Sequence, residues 1–217
     1  MTDRWTVLNM VARRILELPT DDRVVRVAVD GVDGAGKTFF ADELAKAIRT
    51  AGRTVIRASV DAFHHPKAIR YRLGATSPQG FYADSYDYDL LKARLLNPLS
   101  PGGSGRYRTA AFDHRADSPV HVPEQRAEPG GILVFDGIFL HRSELRGYWD
   151  FSIFLEVGFE VSVPRGNRRF GGSPDPGAET NRRYVEGQKI YLSSCNPRSY
   201  ATLTINNENL ESPCIVR

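Results

Sequence analysis

A chain of 217 residues, 41% hydrophobic and 25% charged, is long enough to bury the core of one α/β domain. Its 29 Lys and Arg against 26 Asp and Glu leave a formal charge of +3, too balanced for nucleic acid or an anionic membrane surface to be the expected partner. Two cysteines, Cys195 and Cys214, imply no disulfide framework. They fit a reducing cytoplasm, as do the missing apolar leader and the lack of any apolar run near the roughly 20 residues that cross a bilayer.

In chain order, Trp5, Leu8, Val11, Ala12, Ile15 and Leu16 recur at helical spacing and predict a packing helix over residues 5–18. A buried strand follows over 24–30, and a helix over 37–51 that Gly52 ends. Residues 54–60 read as a second strand finishing at Asp61. A loop-rich stretch to Asp84 then leads into a helix over about 87–97. The Pro/Gly-rich residues 98–105 are a turn region, and 107–112 with 120–122 form a small ribbon outside the main sheet. Strands over 132–136 and 151–157, an Arg-rich stretch, a helix over about 179–192 and a strand near 202–206 complete the chain. Strands joined by helices imply a mainly parallel sheet covered on both faces.

Between the first strand and its helix stands Gly31-Val32-Asp33-Gly34-Ala35-Gly36-Lys37-Thr38, which is Gly-x-x-x-x-Gly-Lys-Thr in the strand–loop–helix setting of a phosphate-binding loop. Gly31, Gly34 and Gly36 let the backbone approach a ligand. The successive N–H groups and the positive end of the following helix then receive phosphate oxygens. Lys37 is placed for the β- and γ-phosphates, and the Thr38 hydroxyl for the Mg²⁺ that accompanies them. Gly31, Asp33, Gly34, Ala35, Gly36, Lys37, Thr38 and Phe39 are therefore the expected contacts of a nucleoside triphosphate, read as ATP.

Two further carboxylates fall at strand ends. Ile132-Leu133-Val134-Phe135 runs into Asp136, which lands at the sheet edge where open α/β sheets bind ligands and is read as a second Mg²⁺ ligand beside Thr38. Asp61 closes the strand after the loop helix and is placed to orient and deprotonate an acceptor hydroxyl. His64, three residues on, is a candidate substrate contact; a plain loop histidine is the competing reading.

With residues 60–64 and 81–89, Phe112-Asp113-His114, Phe135-Asp136-Gly137-Ile138-Phe139, Gln188-Lys189-Ile190-Tyr191 and the tail 206–215, these pieces resemble the uridine kinase family of phosphate-loop kinases. The broader group includes phosphoribulokinase and bacterial pantothenate kinase, and the resemblance covers residues 24–215. It implies a P-loop NTPase three-layer α/β fold as a single domain over 1–217, with a small Arg-rich lid at about 163–183. It implies Asp61 as catalytic base, His114 as a base- or sugar-contacting residue, and lid arginines, Arg165, Arg168 or Arg169, closing over the transferring phosphoryl. Arg169 is counted with the substrate contacts as well. The implied partner is a small-molecule hydroxyl acceptor, a nucleoside first, with pantothenate or a sugar-type alcohol as alternatives. A homo-oligomer stays open.

The chain departs from the family pattern at three places. Asp136 stands where uridine kinases carry Glu, and Gly80-Phe81 stands where they carry Phe-Asp. Pro164, Gly166, Gly171 and Gly172 break the lid sequence, which predicts a less ordered lid. Arg182 and Arg183 read as the exposed face of the following helix. A regulatory GTPase would need Asn-Lys-x-Asp, and no Asn-Lys dipeptide occurs. A degenerate nucleotide-binding protein is the remaining alternative to an enzyme.

Overall fold

The computed structural model describes residues 3–20 and 23–216, except for the side chains of Arg169 and Phe170. The chain opens with α1 (Arg4–Leu16), β1 (Val25–Gly31), α2 (Lys37–Thr50), β2 (Val55–Ser59) and a 3-10 turn (Val60–Phe63). Next come α3 (Lys67–Arg70), α4 (Pro78–Asp84) and α5 (Tyr88–Leu91), then the short strands β3 (Arg106–Tyr107), β4 (Phe112–Asp113), β5 (Ser118–Pro119) and β6 (Gln125–Arg126). The chain continues with β7 (Ile132–Gly137), β8 (Phe151–Glu156), α6 (Phe159–Phe170), α7 (Glu179–Cys195), α8 (Pro197–Tyr200), β9 (Leu203–Asn206) and β10 (Cys214–Ile215).

The main sheet has the order β10-β9-β8-β1-β7-β2, parallel throughout except for β10, which pairs antiparallel with β9. Alternation sends successive residues to opposite faces. On one face Val25, Val27 and Val29 pack with Ile132, Val134, Ile153 and Leu155 under α1 and α2. On the other, Ala28, Leu133, Phe135, Ile56 and Ala58 pack with Phe63, Leu91, Leu95 and Tyr191. Every residue of β1 and β7 is buried, as expected of central strands of a parallel sheet. This is the expected three-layer α/β arrangement, and it brings the C-terminal ends of β1, β2 and β7 to one edge.

Several elements differ from the sequence reading. The stretch before Asp84, read as loop, contains α3 and α4, which are four and seven residues long and too short for periodicity to register. The single expected ribbon is two separate antiparallel pairs, β3 with β6 and β4 with β5. The helix read over 87–97 begins at Tyr88 as α5 and widens into a π turn over Lys92–Leu96. The first part of the expected lid is instead a helix, α6, that runs through Pro164 and Gly166 and stops where Gly171 and Gly172 were expected to break it. Packing against the phosphate-binding loop and the side-chain bonds of Arg165 offset the hydrogen bond that Pro164 removes. Among the described residues no helix is long and apolar enough to cross a membrane.

Candidate active site

Chain conformation at the end of β1 is set by the three glycines of the loop. Gly31, Gly34 and Gly36 have φ of +154°, +74° and +90°, and Gly36 stands at the cap position of α2. At Gly34 the packing adds a second demand: a Cβ there would fall 2.0 Å from the carbonyl oxygen of Ser162 on α6. A side chain is excluded both by conformation and by contact.

The loop is held from three sides. Asn207, fully buried after β9, donates through Nδ2 to the Ala35 carbonyl at 2.7 Å. The Asp33 N–H donates to Oε1 of Gln188 on α7 at 2.5 Å. Behind the loop, the buried Asp30 carboxylate receives the Gly31 N–H at 2.7 Å and the Tyr191 hydroxyl, and its Oδ2 lies 2.6 Å from Nδ1 of His141. Lys37 Nζ donates to the Val32 carbonyl at 2.8 Å, curling the ammonium over the loop where phosphate oxygens would lie.

Thr38 and Asp136 meet as their positions imply. Thr38 Oγ1 donates to Asp136 Oδ2 at 2.8 Å, and Arg57 Nη2 stands 2.7 Å from Asp136 Oδ1. Among the described residues no group of three or more His, Cys, Asp or Glu side chains is placed to hold a metal unaided. A hydroxyl beside one carboxylate suits a hydrated Mg²⁺ that takes its remaining ligands from water and phosphate, so these residues fit that ion.

Asp61 lies on the 3-10 turn immediately after β2, exposed on the cleft. The Tyr86 hydroxyl donates to its Oδ1 at 3.2 Å. Burial, with Asp61 and Asp33 nearby, pushes the Tyr86 hydroxyl well above the ordinary phenol range, so it stays a proton donor. His64 reaches back to the Asp61 carbonyl at 2.9 Å and stacks on His114, ring centroids 4.6 Å apart, with the Tyr86 ring tilted against it at 4.5 Å. Burial holds the His64 pKa below its usual value, against the opposing pull of the Asp61 carbonyl.

One cleft of about 760 Å³ joins these groups: Asp33, Lys37, Thr38, Asp61 and Asp136 line it together with His64 and His114. Phe39 lines it too, exposed beside the start of α2. Arg165 stands apart from the other expected catalytic groups. Its guanidinium donates to the Gly34, Asn207 and Glu208 carbonyls at 3.4, 3.3 and 2.7 Å, on the outer flank of the loop. Arg168 is exposed, and the Arg169 side chain lies outside the described residues.

Arg183 corrects the expectation of an exposed face: it is buried, bonded to the carbonyls of Arg70, Gly74, Ala75 and Ser77, and lies over the Tyr71 ring at 4.7 Å. Its partners are backbone carbonyls of an irregular stretch, which helical spacing cannot anticipate. Gln188, Tyr86 and Arg57 were also given no role by sequence. Gln188, Tyr191 and Tyr86 belong to segments that carry the resemblance, which is the one signal that pointed to them.

Residues 26–169 match the model of the phosphoribulokinase/uridine kinase family. No protein of curated function matches the chain in sequence. Among solved structures, the chain is similar to a possible uridine kinase from Bacillus stearothermophilus, with 21% identity, a TM-score of 0.72, and coverage of 91% of this chain and 96% of that one. It is also similar to D-glycerate 3-kinase from Cryptococcus neoformans var. grubii, with 13% identity, a TM-score of 0.56, and coverage of 98% and 95%. Phosphoribulokinase from Rhodobacter spheroides matches at 16% identity and a TM-score of 0.57, with coverage of 86% and 70%. These likenesses establish the fold as that of the P-loop kinases.

Proposed function

The chain belongs to the phosphoribulokinase/uridine kinase family and is a small-molecule kinase, and on that premise we propose that it transfers the γ-phosphoryl of ATP to a hydroxyl of a nucleoside. The observation that carries this reading is the shared cleft. A carboxylate with one hydrogen-bond donor, Asp61, opens on the same space as the phosphate-binding loop, beside the stacked rings of His64 and His114. Stacked aromatic rings favour a planar base, and the adjoining carboxylate favours its sugar hydroxyl.

In the transfer, the loop amides and Lys37 hold the β- and γ-phosphate oxygens. Asp61 accepts the proton of the acceptor hydroxyl as its oxygen bonds to the γ-phosphorus. The bond from that phosphorus to the β–γ bridging oxygen breaks, and ADP leaves. Tyr86 keeps the Asp61 carboxylate oriented. Thr38 and Asp136 would hold Mg²⁺, which supplies charge neutralisation on the phosphate oxygens when bound. Arg165 supports the loop from its outer flank, and the acceptor is the only partner the reading requires. A site of action in the cytoplasm is part of the same proposal.

Coupled detection of ADP with a panel of hydroxyl acceptors tests this. Uridine or cytidine should raise ADP release above that with ATP alone. Stimulation by pantothenate or a sugar-type alcohol, with none by any nucleoside, would replace the nucleoside reading while keeping the kinase.

A further inference from the structure

The side chain of Asp33 has no part in the phosphate-binding loop's own chemistry, which uses the amide of that position. We infer that the Asp33 carboxylate is a specificity-determining group, which accepts hydrogen bonds from a second hydroxyl pair on a neutral polyol acceptor. On the reading above, that pair is the 2′,3′-diol of a ribose. The ribose assignment rests on the nucleoside reading; the need for further hydroxyls does not.

The direction of the side chain is set by its backbone. On one side the Asp33 N–H is bound by Gln188; on the other, Gly34 is packed against the Ser162 carbonyl. Between these two constraints the Asp33 side chain lines the cleft with Asp61, Tyr86 and Tyr184. The electrostatic neighbours of its carboxylate are Lys37 and Asp61, and Tyr86 and Tyr184 in turn feel its charge. Although exposed to the cleft, the group is surrounded by protein, and that desolvation raises its pKa against the pull of Lys37.

Among the described residues no side chain or amide donates to this carboxylate, and Lys37, Arg183 and Arg70 of the same cleft are engaged elsewhere. Lys37 is on the Val32 carbonyl, and Arg183 is on four backbone carbonyls. Arg70 is on the His65 and His114 carbonyls and Asp117. A carboxylate that opens on the cleft with no protein donor is free to accept from a ligand's hydroxyls. Two oxygens on one planar group match two adjacent hydroxyls. With Asp61 beside it, an acid group seated against Asp33 would meet two like charges there, whatever the cations Lys67 and Arg115 supply elsewhere in the cleft.

The test measures kcat/KM of the full chain for uridine, 2′-deoxyuridine and 3′-deoxyuridine, then repeats the set with Asp33→Asn. Loss of one hydroxyl should lower the wild-type kcat/KM by roughly tenfold or more. Asp33→Asn should bring uridine down to about the deoxynucleoside level, mainly through KM, with a smaller change in the calorimetric Kd for ATP. Equal wild-type kcat/KM for all three nucleosides overturns the proposal without any variant. So does a variant that still discriminates between them, or one that loses ATP and uridine affinity in proportion. If no nucleoside is turned over, the nucleoside reading fails, and D-ribose, ribitol, D-glycerate and pantothenate become the probes. Preference for a neutral polyol, lost in Asp33→Asn, supports the Asp33 assignment; preference for either carboxylate-bearing acceptor overturns it.

Discussion

Thr38 Oγ1 donates a 2.8 Å hydrogen bond to Asp136 Oδ2, tying the first turn of α2 to the end of β7 across 98 residues of sequence. With Arg57 Nη2 at 2.7 Å from the other oxygen, the protein itself engages both oxygens of the buried Asp136 carboxylate. A cation between Thr38 and Asp136 would have to turn the Thr38 hydroxyl, so that its lone pair rather than its proton faces the metal. The loop and the sheet edge are thus held in register before any phosphate arrives.

Lys37→Ala should weaken ATP binding by roughly 10- to 100-fold, the range expected for loss of charge-assisted hydrogen bonds, and should abolish turnover. The side chain is only partly buried and its one bond is to the Val32 carbonyl, so the unfolding temperature should change little. Calorimetry on variant and parent measures the first effect, and a thermal melt the second. Equal ATP affinity in the two proteins would remove the loop from the nucleotide site.

Asp61→Asn keeps the shape of the side chain and a hydrogen bond with Tyr86 but removes its basicity. General bases contribute about 10²–10⁴ in rate, so kcat with the best acceptor should fall by that factor. ATP affinity should hold nearly constant. A variant within twofold of the parent in kcat would make Asp61 structural and place the base elsewhere.

Gly34→Ala puts a methyl group where 2.0 Å separates it from the Ser162 carbonyl oxygen, at a φ of +74°. The unfavourable conformation alone costs about 1–3 kcal/mol, and the collision must push α6 off the loop. A melting temperature several degrees lower, together with lost nucleotide binding, is expected. Unchanged melting would show that α6 does not rest on the loop in solution.

Burial lowers the His64 pKa in the folded chain from an ordinary value of about 6.5. The unfolded chain therefore takes up this proton more readily, and stability rises with pH across the window. The stabilisation from a neutral ring is fully present above about pH 6.5. It is lost as the pH falls from there toward the lower folded value, and the stacked His114 works in the same direction as burial. Melting temperatures from pH 7.5 to pH 5 should fall less steeply in His64→Gln than in the parent; parallel curves would rule out this origin.

Legibility in the sequence followed locality. The loop could be read because all its parts lie within eight consecutive residues, and Asp61 and Asp136 because apolar runs place their ends at the sheet edge. Gln188 could not be read as a support for Asp33, since the pair is 155 residues apart and joined by a backbone amide that every residue has. Arg183 was misjudged for a similar reason. A charged residue on a helix is ordinarily solvated, and only the irregular stretch at 70–77 supplies enough carbonyls to bury it. Pro164 and Gly166 argued against a helix on propensity, and tertiary contact with Gly34 outweighed that preference.

The Asn207–Ala35 bond has a consequence for synthesis. Asn207 follows Ala35 by 172 residues, and the same asparagine accepts from Arg4 of α1 through Oδ1 at 3.3 Å. As the chain leaves the ribosome, the glycine loop emerges 172 residues before Asn207, one of its three supports. A nascent chain can pair β1 with β7 and lay α2 against them, but its loop lacks this brace until residue 207 has cleared the exit tunnel. Nucleotide capture should therefore wait for Asn207, and ATP added during translation should protect chains that carry this residue far better than shorter ones.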